Sequence, residues 1–259
     1  MIQRACQKNK NRLLALLLIA FFAVPLSAEN RPALVIIIDD LGNNLETGKQ
    51  VVALPGKLNL GVLPHTPGAN ELARLGSASG KEVLLHAPMS NLRHKPLGPG
   101  ALTADMSELA FRARLADILD NTPHVRGLSN HMGSDLTTRR EPMEWVMQEL
   151  SARGLYFVDS RTTVHTLAAR VADEYQVPHL SRQVFLDTVI EEDSIRRSFE
   201  QLLRRADREG LGVAIGHPYP ETLKYLGEVL PELEQRGYRL VWISEVLAGR
   251  TSLARSAAP

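Results

Sequence analysis

From residue 34 onward, short aliphatic runs alternate with longer segments whose apolar positions recur at the helical period. The runs Leu34–Ile38, Leu58–Leu63, Glu82–Leu85, Val125–Ser129, Leu155–Val158, Gln183–Leu186, Gly212–Ile215 and Arg239–Ile243 read as strands. They are nearly continuous in apolar character rather than alternating. That predicts burial on both faces, hence a parallel sheet covered by helices. Between them, Ser107–Leu119, Pro142–Ala152, Ile195–Arg208 and Glu221–Gln235 carry helical patterns. In the first of these, Leu109, Leu115, Ile118 and Leu119 can share one side. In the third, Ile195, Phe199, Leu202 and Leu203 form an apolar stripe that leaves five arginines outside, a solvated face paired with nearby acids.

Glycines punctuate the pattern. Gly80, Gly154, Gly210 and Gly237 each follow a polar helix end and precede an aliphatic run, which is the signature of a left-handed helix stop before a strand. Seven or eight βα units in series predict an α/β fold, a (β/α) barrel that is closed or nearly so. A doubly wound open sheet is the alternative. One domain over residues 29–248 is expected, with 249–259 as a disordered tail.

The first 28 residues follow a different rule. Arg4, Lys8, Lys10 and Arg12 precede the apolar run LLALLLIAFFAVPL, and small residues follow. This is the order of a secretory signal peptide, with cleavage expected after Ala28 and an uncleaved anchor as the alternative. The apolar run is short of the about 20 residues that span a bilayer. The only cysteine, Cys6, lies in this leader, so the exported chain has no thiolate chemistry, and any metal must be held by His, Asp, Glu or water. No later run is long enough to span a membrane. The expected location is the periplasm. A formal charge of +1, from 30 basic and 29 acidic residues, gives no electrostatic reason to expect nucleic acid as a partner.

In parallel βα architectures the site lies at the carboxyl ends of the strands. Seven successive strands here end in groups that ligate metals or move protons: Asp39 and Asp40; His65; His86; Asn130 and His131; Asp159, Ser160 and Arg161; Asp187; and His217. Singly, each is an ordinary loop or capping residue. Together they predict one rim of acids and imidazoles. Two adjacent carboxylates repel each other unless a positive group lies beside them, and a divalent cation supplies it. Carboxylate and imidazole donors suit zinc or another first-row metal. The segment APMSNLRHKPLGPGAL after the third strand, rich in Pro and Gly, is long enough to shape a cleft.

The stretches IIIDDLG, LNLGVLPHTP, EVLLHAPMS, GLSNHMGSDLT, YFVDSRTT and VAIGHPYPETL resemble the divergent polysaccharide deacetylase family, exported relatives of the NodB-type carbohydrate deacetylases. The resemblance covers nearly all of the chain after the leader. It implies a distorted (β/α) barrel that removes acetyl groups from a polysaccharide with a divalent metal. It also implies that Asp39 acts as base, that Asp40 binds the metal and that His217, in VAIGH, is the proton donor. One departure is clear. The parent families take two metal histidines from one H-[ST]-x-x-H stretch, but four residues after His86 stands Ser90. His131, from the neighbouring strand, is the expected replacement. The parent Arg-Pro motif has only Arg161 as a weak counterpart. His65, Asn130, Asp159, Arg161 and Asp187 are the expected substrate-contacting or orienting residues. The expected activity is deacetylation of an envelope glycan. The alternative is a non-catalytic glycan- or protein-binding factor that works through an envelope-remodelling partner.

Overall fold

The computed structural model describes residues 31–256. The leader, and with it Cys6, lies outside the described residues. The strands are β1 (Ala33–Leu41), β2 (Asn59–Val62), β3 (Glu82–Met89), β4 (Val125–Met132), β5 (Tyr156–Asp159), β6 (His179–Ser181), β7 (Val184–Phe185), β8 (Leu211–Gly216) and β9 (Arg239–Leu240). The helices are α1 (Leu45–Ala53), α2 (Ala69–Ala78), α3 (Glu108–Asp120), α4 (Arg140–Arg153), α5 (Ala168–Glu174), α6 (Glu192–Glu209), α7 (Pro220–Val229) and α8 (Ile243–Ser256). The strand pairings among the described residues are parallel, in the order β6-β5-β4-β3-β2-β1-β8-β7, with β9 paired to the start of β1. The expected barrel is therefore present in curled form, with β6 and β7 as the unjoined ends of the sheet.

The glycine stops behave as expected: Gly154 and Gly210 end α4 and α6 at φ 65 and 73, the left-handed region where a Cβ is strained. Ser107 caps α3 by accepting a hydrogen bond from the Ala110 N–H. One helix face differs from the expectation. Phe111, not Leu109, joins Leu115, Ile118 and Leu119 in the core, and Leu109 is 83% exposed. Positions 111, 115, 118 and 119 follow the helical period, whereas 109 is six residues from 115 and falls on another face.

Strand alternation divides the sheet into two apolar faces. Leu34, Ile36 and Ile38 of β1 pack outward against helices. Ala33, Val35 and Ile37 pack inward with Leu84 of β3, Tyr156 and Val158 of β5, Leu180 of β6, and Val213 and Ile215 of β8. The C-terminal segment closes the floor of this interior with Val241, Ile243 and Leu247. Buried polar groups hold it there. Asn59 accepts from the Ile243 N–H at 3.1 Å and donates to the Ile36 carbonyl at 3.1 Å. Glu82 accepts from the Ser244 N–H at 3.0 Å, from the Ser244 hydroxyl, and from the Tyr156 hydroxyl at 2.8 Å. α8 runs on to Ser256, through most of the segment expected to be a tail. The stretch TSLARS continues the helix because Leu253, Ala254 and Arg255 are good helix formers and no Pro interrupts them. Among the described residues no helix is long and apolar enough to cross a membrane.

Candidate active site

The inward set of positions carries through to the top of the barrel. Along β1 the inward parity continues from Val35 and Ile37 to Asp39. Along β3 it runs from Leu84 to His86, along β4 through Ser129 to His131, along β8 from Val213 and Ile215 to His217, and from Phe185 to Asp187. Asp40 would point outward in a regular strand. Its φ of 62 and the shift in β1–β2 register between Ile38 and Leu41 break the alternation, so both carboxylates reach the rim. This is a β-bulge that re-aims a side chain. Gly61 of β2 leaves the space for Asp39, since a Cβ there would lie 1.8 Å from Asp39 Oδ1.

Asp40, His86 and His131 meet. His131 Nδ1 lies 2.7 Å and His86 Nε2 3.2 Å from Asp40 Oδ1, and the two ring nitrogens are 3.3 Å apart. One ligating atom from each residue falls within 4.8 Å of the others. Asp40 Oδ1 is buried without a hydrogen-bond partner. A buried oxygen in that state is costly in water-free surroundings, and a cation between it and two imidazoles would satisfy it. Asp, His and His are donors suited to a first-row metal. The three residues thus fit a divalent metal. His86 and His131 meet because β3 and β4 are adjacent and in register, with Pro88 opposite His131. Ser90, in the place of the parent family's second histidine, instead donates to Asp135 at 2.8 Å.

Asp39 is 1% exposed. Burial raises its pKa above the ordinary carboxylate range, partly offset by the charges of His86 and His217. For Asp40 burial acts the same way, but the imidazoles of His131 and His86 beside it outweigh that and hold the carboxyl well below the usual range. Ser129 Oγ sits 2.7 Å from His86 Nδ1 and 3.5 Å from Asp39 Oδ1, linking the two. On the other side, Asp187 receives the His217 N–H at 2.6 Å, the Thr222 hydroxyl at 2.9 Å, and faces His217 Nδ1 at 2.8 Å. Burial opposes a charged His217. The bond to Asp187 and the charges of Asp187, Asp40 and Asp39 overcome it and push the imidazole up to about 9. His217 Nε2 is 4.0 Å from Asp40 Oδ2.

A cleft of about 260 Å³ adjoins this group, bounded by Asp40, His131, Leu63, Pro64 and the loop Pro96–Pro99. The Pro- and Gly-rich segment after β3 therefore forms a wall of it. Four other residues expected on the rim, His65, Asn130, Asp159 and Arg161, lie elsewhere. His65, at φ 55, pairs through Nε2 with Asp117 at 2.8 Å while its neighbours Pro64 and Thr66 line the cleft. Asn130 has outward parity. It accepts from the Ser160 N–H at 2.9 Å and donates to the Met132 carbonyl at 2.7 Å, clamping the ends of β4 and β5. Asp159, also outward, accepts from the Arg161 N–H and the Thr166 hydroxyl. Arg161 borders a separate cavity at the edge of the sheet. Asp187 sits beneath His217, where it orients that ring. Sequence reading missed Ser129, counted only as the last strand residue; its signal was inward parity with His131 two positions on.

A family model described as divergent polysaccharide deacetylase matches residues 36–247. Uncharacterized protein YibQ of Escherichia coli K12 is 38% identical over 200 residues, covering 77% of this chain and 63% of that protein. The match thus spans less than two thirds of that relative's length. An uncharacterized protein of Agrobacterium tumefaciens C58 has a similar crystal structure, with a TM-score of 0.79 at 22% identity over 84% of this chain and 89% of its own. The catalytic domain of a peptidoglycan N-acetylglucosamine deacetylase from Eubacterium rectale follows at a TM-score of 0.52 and 14% identity, covering 82% and 88%. These two likenesses are of fold.

Proposed function

This chain belongs to the divergent polysaccharide deacetylase family, and on that premise we propose that it is an exported, metal-dependent hydrolase that removes acetyl groups from an envelope glycan. The observation that carries this reading is the convergence of Asp40, His86 and His131 around one buried, unpartnered carboxylate oxygen. Those three would hold the metal, and zinc suits their donor types. When bound, such a metal supplies Lewis acidity, polarising the acetyl carbonyl and making water a better nucleophile at neutral pH.

The protein's own groups do the rest. Asp39 accepts a proton from the attacking water; its raised pKa makes it a stronger base than an exposed aspartate. If His86 held the metal through Nε2, Nδ1 would carry the proton and donate to Ser129, 2.7 Å away, which would fix the ring. His217 is protonated at neutral pH and is held by Asp187, so it can deliver a proton to the leaving amine or alkoxide. The cleft of about 260 Å³ is small beside drug-sized pockets and suits an acetylated sugar unit rather than a bulky side group. The leader supports a periplasmic location.

A second reading is favoured by Ser90, bound to Asp135 where the parent family has a metal histidine: the barrel binds glycan without cleaving it. Acetate release from chitooligosaccharides and peptidoglycan by the purified protein decides between them. Release that disappears with a chelator and returns with zinc supports the hydrolase. Glycan retention with no acetate released supports the second reading.

A further inference from the structure

The curled sheet has two unjoined ends, β6 and β7, and the chain passes between them through Arg182 and Gln183. A cavity of about 520 Å³ runs along this seam. Four arginines line it: Arg161 from the end of β5, Arg182 in the seam, Arg205 of α6 and Arg250 of α8. Among the described residues no carboxylate lines it; Glu209, bonded to Arg205 and Gln183, is the acid beside it. In a chain with nearly equal numbers of acids and bases, this is a local concentration of one sign.

The four groups differ in how they are held. Arg182 is fixed. Nε donates to the Ser160 carbonyl and Nη2 to the Arg161 carbonyl, each at 2.6 Å, and the guanidinium lies 3.8 Å over the Phe185 ring. Arg205 is paired with Glu209 at 3.0 Å. Among the described residues, the guanidiniums of Arg161 and Arg250 make no hydrogen bond or ion pair. Burial lowers the pKa of Arg182, and the charge of Arg161 lowers it further while that of Asp159 opposes this. Cations gathered in a concave site repel one another until an anion enters, and guanidinium forks match the oxygens of phosphate groups.

We propose that the seam cavity binds a diphosphate, two linked phosphate groups held between the fixed Arg182 and the free Arg161 and Arg250, with Arg205 at the edge. One phosphate is too compact to engage guanidiniums arriving from four separate elements; two linked groups span more of them. The concave form differs from the extended basic stripe that tracks a nucleic-acid backbone. This site is separate from the Asp40–His86–His131 group and does not depend on the deacetylase reading.

Isothermal titration of the purified protein at fixed ionic strength tests it, with pyrophosphate and orthophosphate as probes. The expected result is saturable one-to-one binding of pyrophosphate, about tenfold or more tighter than orthophosphate. Affinity should fall at least about tenfold in the Arg161→Gln/Arg250→Gln double variant. Among the described residues those guanidiniums hold no partner, so the variant should remain folded. Arg182→Lys keeps the charge and loses the fork, and should also weaken binding. Farnesyl diphosphate and a nucleoside diphosphate sugar identify the source. A prenyl chain that tightens binding assigns a lipid-linked diphosphate; equal affinity assigns a free one. No saturable binding of pyrophosphate, or an unchanged affinity in the folded double variant, overturns the proposal.

Discussion

His217 and Asp187 show how one pair sets both protonation and stability. The folded imidazole has a pKa of about 9 against an ordinary value of 6.5. A group whose pKa is raised on folding stabilises the fold fully below its unfolded value and loses that contribution as pH rises through its folded value. The charged pair should therefore stabilise the protein below about pH 6.5 and cease to do so above about 9. Asp187→Asn should cost on the order of 1–3 kcal/mol at pH 6, at about 1.4 kcal/mol per pKa unit with a discount for solvent. The gap between variant and wild type should narrow by pH 10. Chemical denaturation at the two pH values checks this, and a gap that is equal at both would show that Asp187 does not set the charge on His217. The same variant should move the alkaline limb of acetate release to lower pH. Ser129→Ala removes the partner of His86 Nδ1. Loss of such a partner typically weakens metal binding about 10–100-fold, to be read by competition with a chromophoric chelator while the melting temperature stays near wild type.

Among the elements, β2 and α8 support the site most directly. Gly61→Ala places a methyl 1.8 Å from Asp39 Oδ1, against a backbone-anchored carboxylate on the adjacent strand. The variant should lose most acetate release, and a crystal structure should show Asp39 displaced; full activity would mean that Asp39 need not stay where β1 holds it. Ile243 at the start of α8 is fully buried in the barrel interior. Ile243→Ala should destabilise by about 2–5 kcal/mol, measured by denaturant unfolding. At this scale the chain is largely readable, because aliphatic runs and glycine stops report burial and helix ends directly. What the runs did not report was which face each polar end residue takes. Asn130 and Asp159 looked equivalent to His131 and His86, since all follow apolar runs. Counting parity from the inward residues of the same strand separates them. Asp40 defies even that count, because a left-handed φ at a non-glycine residue leaves no mark in a run of Ile and Asp.

Over the whole molecule, the curled barrel was legible as a series of βα units, but its opening was not. β6 and β7 are three and two residues long, too short for a periodic signal, and their failure to pair is a matter of spatial order rather than pattern. The floor formed by Val241, Ile243 and Leu247 was likewise hidden, because a C-terminal run looks the same whether it extends a sheet or plugs a barrel. The proposed metal site needs no second histidine from H-[ST]-x-x-H because neighbouring parallel strands in register bring His86 and His131 together across one pair of positions. That claim is tested most directly by elemental analysis of protein purified without added metal, alongside Asp40→Ala and His131→Ala. About one divalent ion per wild-type chain is expected, and little in either variant, each still folded. A wild-type protein free of metal, or a His131→Ala protein with the wild-type content, would contradict it.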